Sequence, residues 1–160
     1  MDTTTISLGK VRILEALSQG TLCFSCSVRV NGRIAFTAKN TGEGGATRFT
    51  VLDRNLYQQA IEYAQGLPPI YTDPPDVQAL PMTLELLIAE LVEKAREEKW
   101  LRKRCQKAVL WRTPDMPPGK WNTIRGAASI SIVEFVAIKN KILEDHPEAE
   151  IANLRFLKKK

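Results

Sequence analysis

Apolar and polar residues alternate from the first few positions of the chain. Over residues 4–16, Ile6 and Leu8 alternate with polar neighbours, and Gly9 stands where a bulge would return Val11 and Ile13 to the buried face. After a Gln19-Gly20 turn, Leu22, Phe24, Cys26, Val28 and Val30 alternate unbroken over 21–30. Ile34, Phe36 and Ala38 continue the period over 33–39. Asn31-Gly32 between them marks a hairpin, whose loop length follows from parity. A two-residue loop would pair Val30 with Arg33 and set the apolar face of the second strand beside Arg33, Thr37 and Lys39. A three-residue loop, Val30-Asn31-Gly32, pairs Val28 with Ile34 and Cys26 with Phe36, with Gly32 left-handed in a G1 bulge. The three-residue loop is therefore predicted.

A short fourth strand over 46–52 is expected to turn Phe49 and Val51 inward. The period then becomes helical. Asp53 is suited to cap a helix over 54–65, with Leu56, Ala60, Ile61 and Ala64 on one face and Gly66 at the C′ position. Residues 67–81 carry five prolines with Asp73 and Asp76 and read as a rigid, extended connector. Thr83 caps the longest helix, over 84–103, along which Leu84, Leu87, Ile88, Leu91, Val92 and Ala95 form a stripe. Glu90 with Lys94 and Glu98 with Arg102 are i,i+4 pairs of the better polarity. Past Ala95 the stripe fails, since Lys99 and Arg102 come round to the side that carried the leucines. That end either leaves its sheet or is offered to a partner.

Two strands follow over 108–113 and 120–125, joined by PDMPPG. Ser131 and Glu134 form a capping box, with Ile130 placed to staple onto Phe135, and the helix runs over 132–144 with Phe135, Val136, Ile142 and Leu143 inward. Pro147 stops it, and 151–157 reads as a final strand. The pattern predicts an α+β protein. An N-terminal antiparallel hairpin sheet packs on helices, and a long helix leads into a β-β-α-β C-terminal half. It is read as a single domain over 1–160, with any sub-lobes (1–66 and 82–160) meeting at the connector.

Composition narrows the class. The 160 residues, 44% hydrophobic and 26% charged, are enough to bury a core and too apolar to stay disordered. The longest apolar run is too short to span a bilayer, and MDTTTISLGK lacks the layout of a signal peptide. Three cysteines, an odd number, fit a reducing compartment. A cytoplasmic location is expected. Residues 1–80 hold seven Lys or Arg against seven Asp or Glu, so the whole net charge of +5 lies in the second half. Such asymmetry fits an acidic partner, nucleic acid included, but at this modest net charge a solvated face with a lysine tail is the favoured reading.

Several groups of residues carry candidate chemistry. Cys23 and Cys26 form a C-x-x-C inside an alternating strand, where positions three apart point to opposite faces, so no metal or cofactor is assigned to them. His146, the sole histidine, ends a helix without a nucleophile frame and is read as solvated. The loop Asn40, Gly42, Glu43, Gly44, Gly45 with nearby Arg48 is the candidate binding loop, because three glycines in four positions imply positive φ or close approach. It is neither a P-loop nor a dinucleotide fingerprint. Lys99, Arg102, Lys103, Arg104, Lys107 and Arg112, interleaved with Trp100, Trp111 and Trp121, form a candidate polyanion surface.

The segments ISLGKVRI, CFSCSVRVNGR and NTGEGG, the Leu-Pro connector, and RCQKAVLWRT with GKWNTIRG resemble a loose family of small phage and prophage accessory proteins. Members of that family often carry a histidine or aspartate around the glycine loop, where this chain has Glu43 and Thr47. The departure weakens the case for a shared metal site. The resemblance implies an accessory gene of a mobile element. The expected function is an anti-defence inhibitor that acts without catalysis by contacting a host protein or its nucleic acid. The alternatives are a small nucleotide- or nucleic-acid-processing enzyme using Glu43, Arg48 and Asp53, and a structural phage component.

Overall fold

The computed structural model describes residues 4–71, 79–126 and 129–157. The chain divides into two compact units, Met1–Ala95 and Arg96–Lys160. In the first unit, β1 (Ile6–Ile13), β2 (Phe24–Val30), β3 (Arg33–Asn40) and β4 (Arg48–Val51) form an antiparallel sheet in the order β1-β2-β3-β4. The helix α1 (Arg54–Gln65) and the first half of α2 (Leu84–Arg104) cover it. Val28, Val30, Phe36, Ala60, Ile88 and Val92 are fully buried in the shared core. Phe36 meets Phe49 and Tyr57 edge-on, at 5.6 and 5.0 Å between centroids. The expected α+β class is what the chain adopts.

The hairpin differs from the expected one. Val30 pairs with Arg33, so the loop is the two residues Asn31 and Gly32, with φ of 50° and 79°. This is the doubly left-handed turn that Asn-Gly favours. Parity is restored inside β3 instead. Arg29 pairs with Ile34 but Val28 pairs with Phe36, which leaves Ala35 as an extra, bulged residue. Ala35 is fully buried, and its carbonyl accepts hydrogen bonds from both Leu52 and Asp53 N–H at 2.9 Å. Ile34, expected inward, lies on the far side of the bulge and is 47% exposed. The bulge expected at Gly9 is present, spanning Gly9 to Arg12, with Lys10 left-handed at φ 44°.

Asp53 caps α1 as expected, its Oδ1 accepting from Asn55 and Leu56 N–H at 3.1 Å. Gly66 ends the helix right-handed, at φ −82°, so it is not a left-handed C′ residue. Val51, at the free edge, is 40% exposed rather than inward. The proline stretch 67–81 lies within the first unit, and its central residues fall outside the described ones. Its ends are tied together by Ile70 and Leu80, which exchange backbone hydrogen bonds at 2.8 and 2.9 Å. The division falls at 95/96, inside α2, where the apolar stripe breaks.

In the second unit, β5 (Ala108–Arg112) pairs antiparallel with β6 (Asn122–Arg125) and β7 (Glu150–Ile151), in the order β6-β5-β7. The helix α3 (Ile132–Asp145) opens on the capping box, in which Ser131 and Glu134 bond reciprocally. Phe135 and Ile142 are buried beside Val109 and Ile151, whereas Val136, expected inward, is 42% exposed. Leu101, past the break in the stripe of α2, is fully buried with Ala108, Leu110 and Ala152.

The final strand is two residues long, not the seven expected, and passes into a 3-10 helix over Ala152–Phe156. The cause is Asn153. Its buried amide donates to the carbonyls of Ala108 at 2.8 Å and Cys105 at 3.2 Å, and its Oδ1 accepts from Leu110 N–H at 3.0 Å. One side chain thus satisfies the backbone that a longer strand would have paired.

Candidate functional site

In the first unit, the glycine loop is built on Asn40. This residue is 5% exposed, and its Oδ1 accepts from Thr21 Oγ1 at 2.7 Å and from Gly42 N–H at 2.9 Å. Its Nδ2 donates to Gly45 O at 2.9 Å. Gly42 is buried at φ 86°, and its carbonyl accepts from the N–H groups of Gln19, Gly20 and Thr21. A Cβ at Gly42 would stand 2.2 Å from Leu17 O. The glycine there is required because the loop docks on the 17–21 segment. Gly44 N–H donates to Thr21 Oγ1, and Thr47 N–H to Glu85 Oε1 on α2. Glu43, Gly44, Gly45 and Arg48 are exposed. Asn40 and Gly42 therefore brace the loop, and Glu43 is carried on a rigid base. Asp53 is taken up by the cap of α1 and by an ion pair with Arg33 at 3.5 Å, which draws it away from the Glu43–Arg48–Asp53 trio.

Cys23 precedes β2 rather than lying within it, and both Cys23 and Cys26 are buried thiols. Burial pushes the Cys26 thiol up to about 11. Among the described residues no group of three His, Cys, Asp or Glu is placed to hold a metal ion. None of the helices there is long and apolar enough to cross a membrane.

In the second unit the basic residues separate into two sets. Lys99, Lys103 and Lys107 are exposed. Arg102 pairs with Glu98 at 3.4 Å and lies 5.0 Å from the Phe156 centroid, while Arg104 lies 4.8 Å from that of Trp100. Arg112 is structural. It bonds Glu150 at 2.7 Å and stacks over Trp121 at 4.5 Å, with Arg155 bonded to the other oxygen of Glu150 and also over Trp121. Burial alone would raise the Glu150 carboxyl, but the hydrogen bonds and charges of Arg155 and Arg112 outweigh it and hold the group below its usual range. Trp121 donates its Nε1–H to Glu97 at 3.1 Å. Trp111 stacks on His146 at 4.9 Å, so that histidine is half-buried against a ring rather than solvated. Trp111 and Trp121 are half-buried against His146 and the two arginines, while Trp100, 41% exposed, has Arg104 over its ring.

Sequence reasoning passed over a different surface. Ile132 and Val133 are 82% and 79% exposed, and Val136, Leu154 and Leu157 are also exposed. Arg102 and Lys139 lie beside them along a groove of about 600 Å³ in this unit. The signal was present in the spacing. At about 100° per residue, Ile132, Val133 and Val136 form a second apolar stripe, turned well round α3 from Phe135 and Ile142. Compared with protein-family models, curated proteins and solved structures, the chain matches none.

Proposed function

We propose that the chain is a phage-type accessory binding protein that blocks a host defence component by direct contact with a protein, acting in the host cytoplasm and without catalysis. One observation carries the choice of a protein partner. Four exposed large apolar side chains, Ile132, Val136, Leu154 and Leu157, line one groove of the second unit, and Val133, next to Ile132 on α3, is 79% exposed. Contiguous exposed apolar surface rimmed by charge marks protein contact sites. The resemblance to phage accessory proteins supplies the setting.

The test is capture from host lysate with and without nuclease, alongside phage plating on a defence-carrying host that expresses the chain. Nuclease-resistant capture of a defence component, together with restored plating, is the expected result. Plating that stays suppressed, or capture abolished by nuclease, defeats the reading. A nuclease-sensitive outcome would move the contact to Lys99, Lys103 and Lys107, the exposed cations about α2 and its C-terminal end.

A further inference from the structure

We infer that the groove between the start of α3 and the 3-10 helix of the second unit receives an acidic amphipathic helix from a partner protein. The inference rests on the protein-contact reading above and names the partner's chemistry. Ile132, Val136, Leu154 and Leu157 supply the apolar walls of a space of about 600 Å³, and Arg102 and Lys139 supply its charge. Among the described residues, no carboxylate lines the groove. The acid nearest in sequence to its α3 wall, Glu134, is turned back into the capping box, where it accepts from Ser131 N–H at 2.9 Å and Oγ at 2.7 Å. Arg102 has only Glu98 as an ion partner among the described residues, at 3.4 Å in an exposed i,i+4 pair. Such pairs contribute little in water, so an incoming carboxylate displaces Glu98 at small cost.

The shape of the apolar surface selects a helix over a compact small molecule. Val133 is 79% exposed but does not line the groove, so the apolar surface runs out of the groove onto the flank of α3. An occupant covering both must be elongated and carry an apolar stripe. That is the helix-in-groove mode of recognition, with charge complementarity setting the sign of the remaining face. Among the described helices, a second copy of this chain offers none that fits: α3 exposes Ile132, Val133 and Val136, but its acids are engaged, Glu134 in the capping box and Glu144 and Asp145 with Lys141 at 3.6 and 3.1 Å. The apolar stripes of α1 and of the first half of α2 are already used in the core of the first unit, and α1 carries a single acid, Glu62.

The experiment is fluorescence anisotropy on the full chain with two labelled model helices. Both carry leucine at i, i+3, i+4 and i+7; one has glutamate and the other lysine at the remaining positions. The leucine-glutamate helix should bind saturably and at least about tenfold more tightly than the leucine-lysine helix. Ile132→Asp and Lys139→Glu should each weaken it about tenfold or more, with unchanged circular dichroism, while Lys10→Glu on the first unit should change nothing. Absence of saturable binding, equal affinity for the two helices, or indifference to Ile132→Asp overturns the inference. So does a wild-type dimer in sedimentation that Ile132→Asp dissociates, which would assign the face to a second copy. Defence blocking that survives Ile132→Asp removes the groove and leaves the binding-protein reading standing. Helix binding without any defence phenotype does the reverse.

Discussion

Replacing Asn153 by alanine should destabilise the second unit by about 2–6 kcal/mol. Asn153 is 7% exposed and makes three hydrogen bonds to the backbone of the 105–110 segment. Truncation leaves Leu110 N–H and Ala108 C=O without that partner in a region where Leu110 is fully buried and Ala108 is 4% exposed. Each buried polar group stripped of its partner costs about 1–3 kcal/mol, and two such groups set the range. The carbonyl of half-buried Cys105 can turn to water and adds little. The assay is urea unfolding followed by tryptophan fluorescence, because Trp100, Trp111 and Trp121 all belong to the second unit. The midpoint should fall while the slope stays unchanged. Asn153→Asp is the informative companion. It keeps an acceptor for Leu110 but sets a carboxylate against two carbonyls, so it should be worse than alanine near neutral pH and recover on acidification as the carboxyl gains a proton to donate. An alanine variant within about 0.5 kcal/mol of wild type would refute the role given to this side chain.

Gly42→Ala should cost about 3 kcal/mol or more, since its Cβ meets Leu17 O at 2.2 Å on a backbone at φ 86°. Gly45→Ala, with open space around its Cβ, should stay within about 0.5 kcal/mol; thermal unfolding separates the two. Glu150 has a depressed carboxyl pKa in the folded state, so its contribution is present above the ordinary glutamate value of 4.5 and is lost as pH falls through the lower folded value. Glu150→Gln should therefore flatten the acid limb of stability against pH, and an unchanged limb would show that the Arg112–Glu150–Arg155 cluster does not carry it. If capture by the chain proves nuclease-sensitive, replacing Lys99, Lys103 and Lys107 together by alanine should flatten log affinity against log salt by about one unit for each phosphate left without its lysine. Trp111→Phe should leave that slope alone, because Trp111 is stacked on His146.

Local signals were legible where they are self-contained. Asp53 and the Ser131–Glu134 box place two helix starts because each cap bonds within three residues of itself. The β2 face was legible because Phe24, Cys26, Val28 and Val30 alternate against a single core. The hairpin loop was not, since a three-residue loop and a two-residue loop with a bulge at Ala35 restore parity equally well. The choice depends on Leu52 and Asp53, which need the bulged carbonyl. Asn153 was hidden for the same reason, its partners lying 43 to 48 residues away. In the candidate site, the glycines announced an unusual loop, but their cause, the docking of Gly42 on the 17–21 segment, is non-local. The tryptophans read as stacking platforms of a polyanion surface, whereas Trp100 and Trp121 lie against arginines of the chain itself. The second stripe on α3 could have been read from Ile132, Val133 and Val136, yet the capping box draws attention to where the helix begins rather than to which faces it leaves bare.

The bulge at Ala35 makes pairing in the hairpin answerable to a helix. A slip of β2 against β3 by two residues, onto the unbulged register with a three-residue loop, costs little locally, because it keeps the two apolar faces together. Here the slip would also move the one carbonyl that holds Leu52 and Asp53. Asp53 could then no longer stand at the head of α1 to collect the free N–H groups of Asn55 and Leu56. A hairpin in the other register would therefore lack the capped helix that covers its apolar face. The extra residue thus makes an alignment set at the turn depend on a contact seventeen residues downstream.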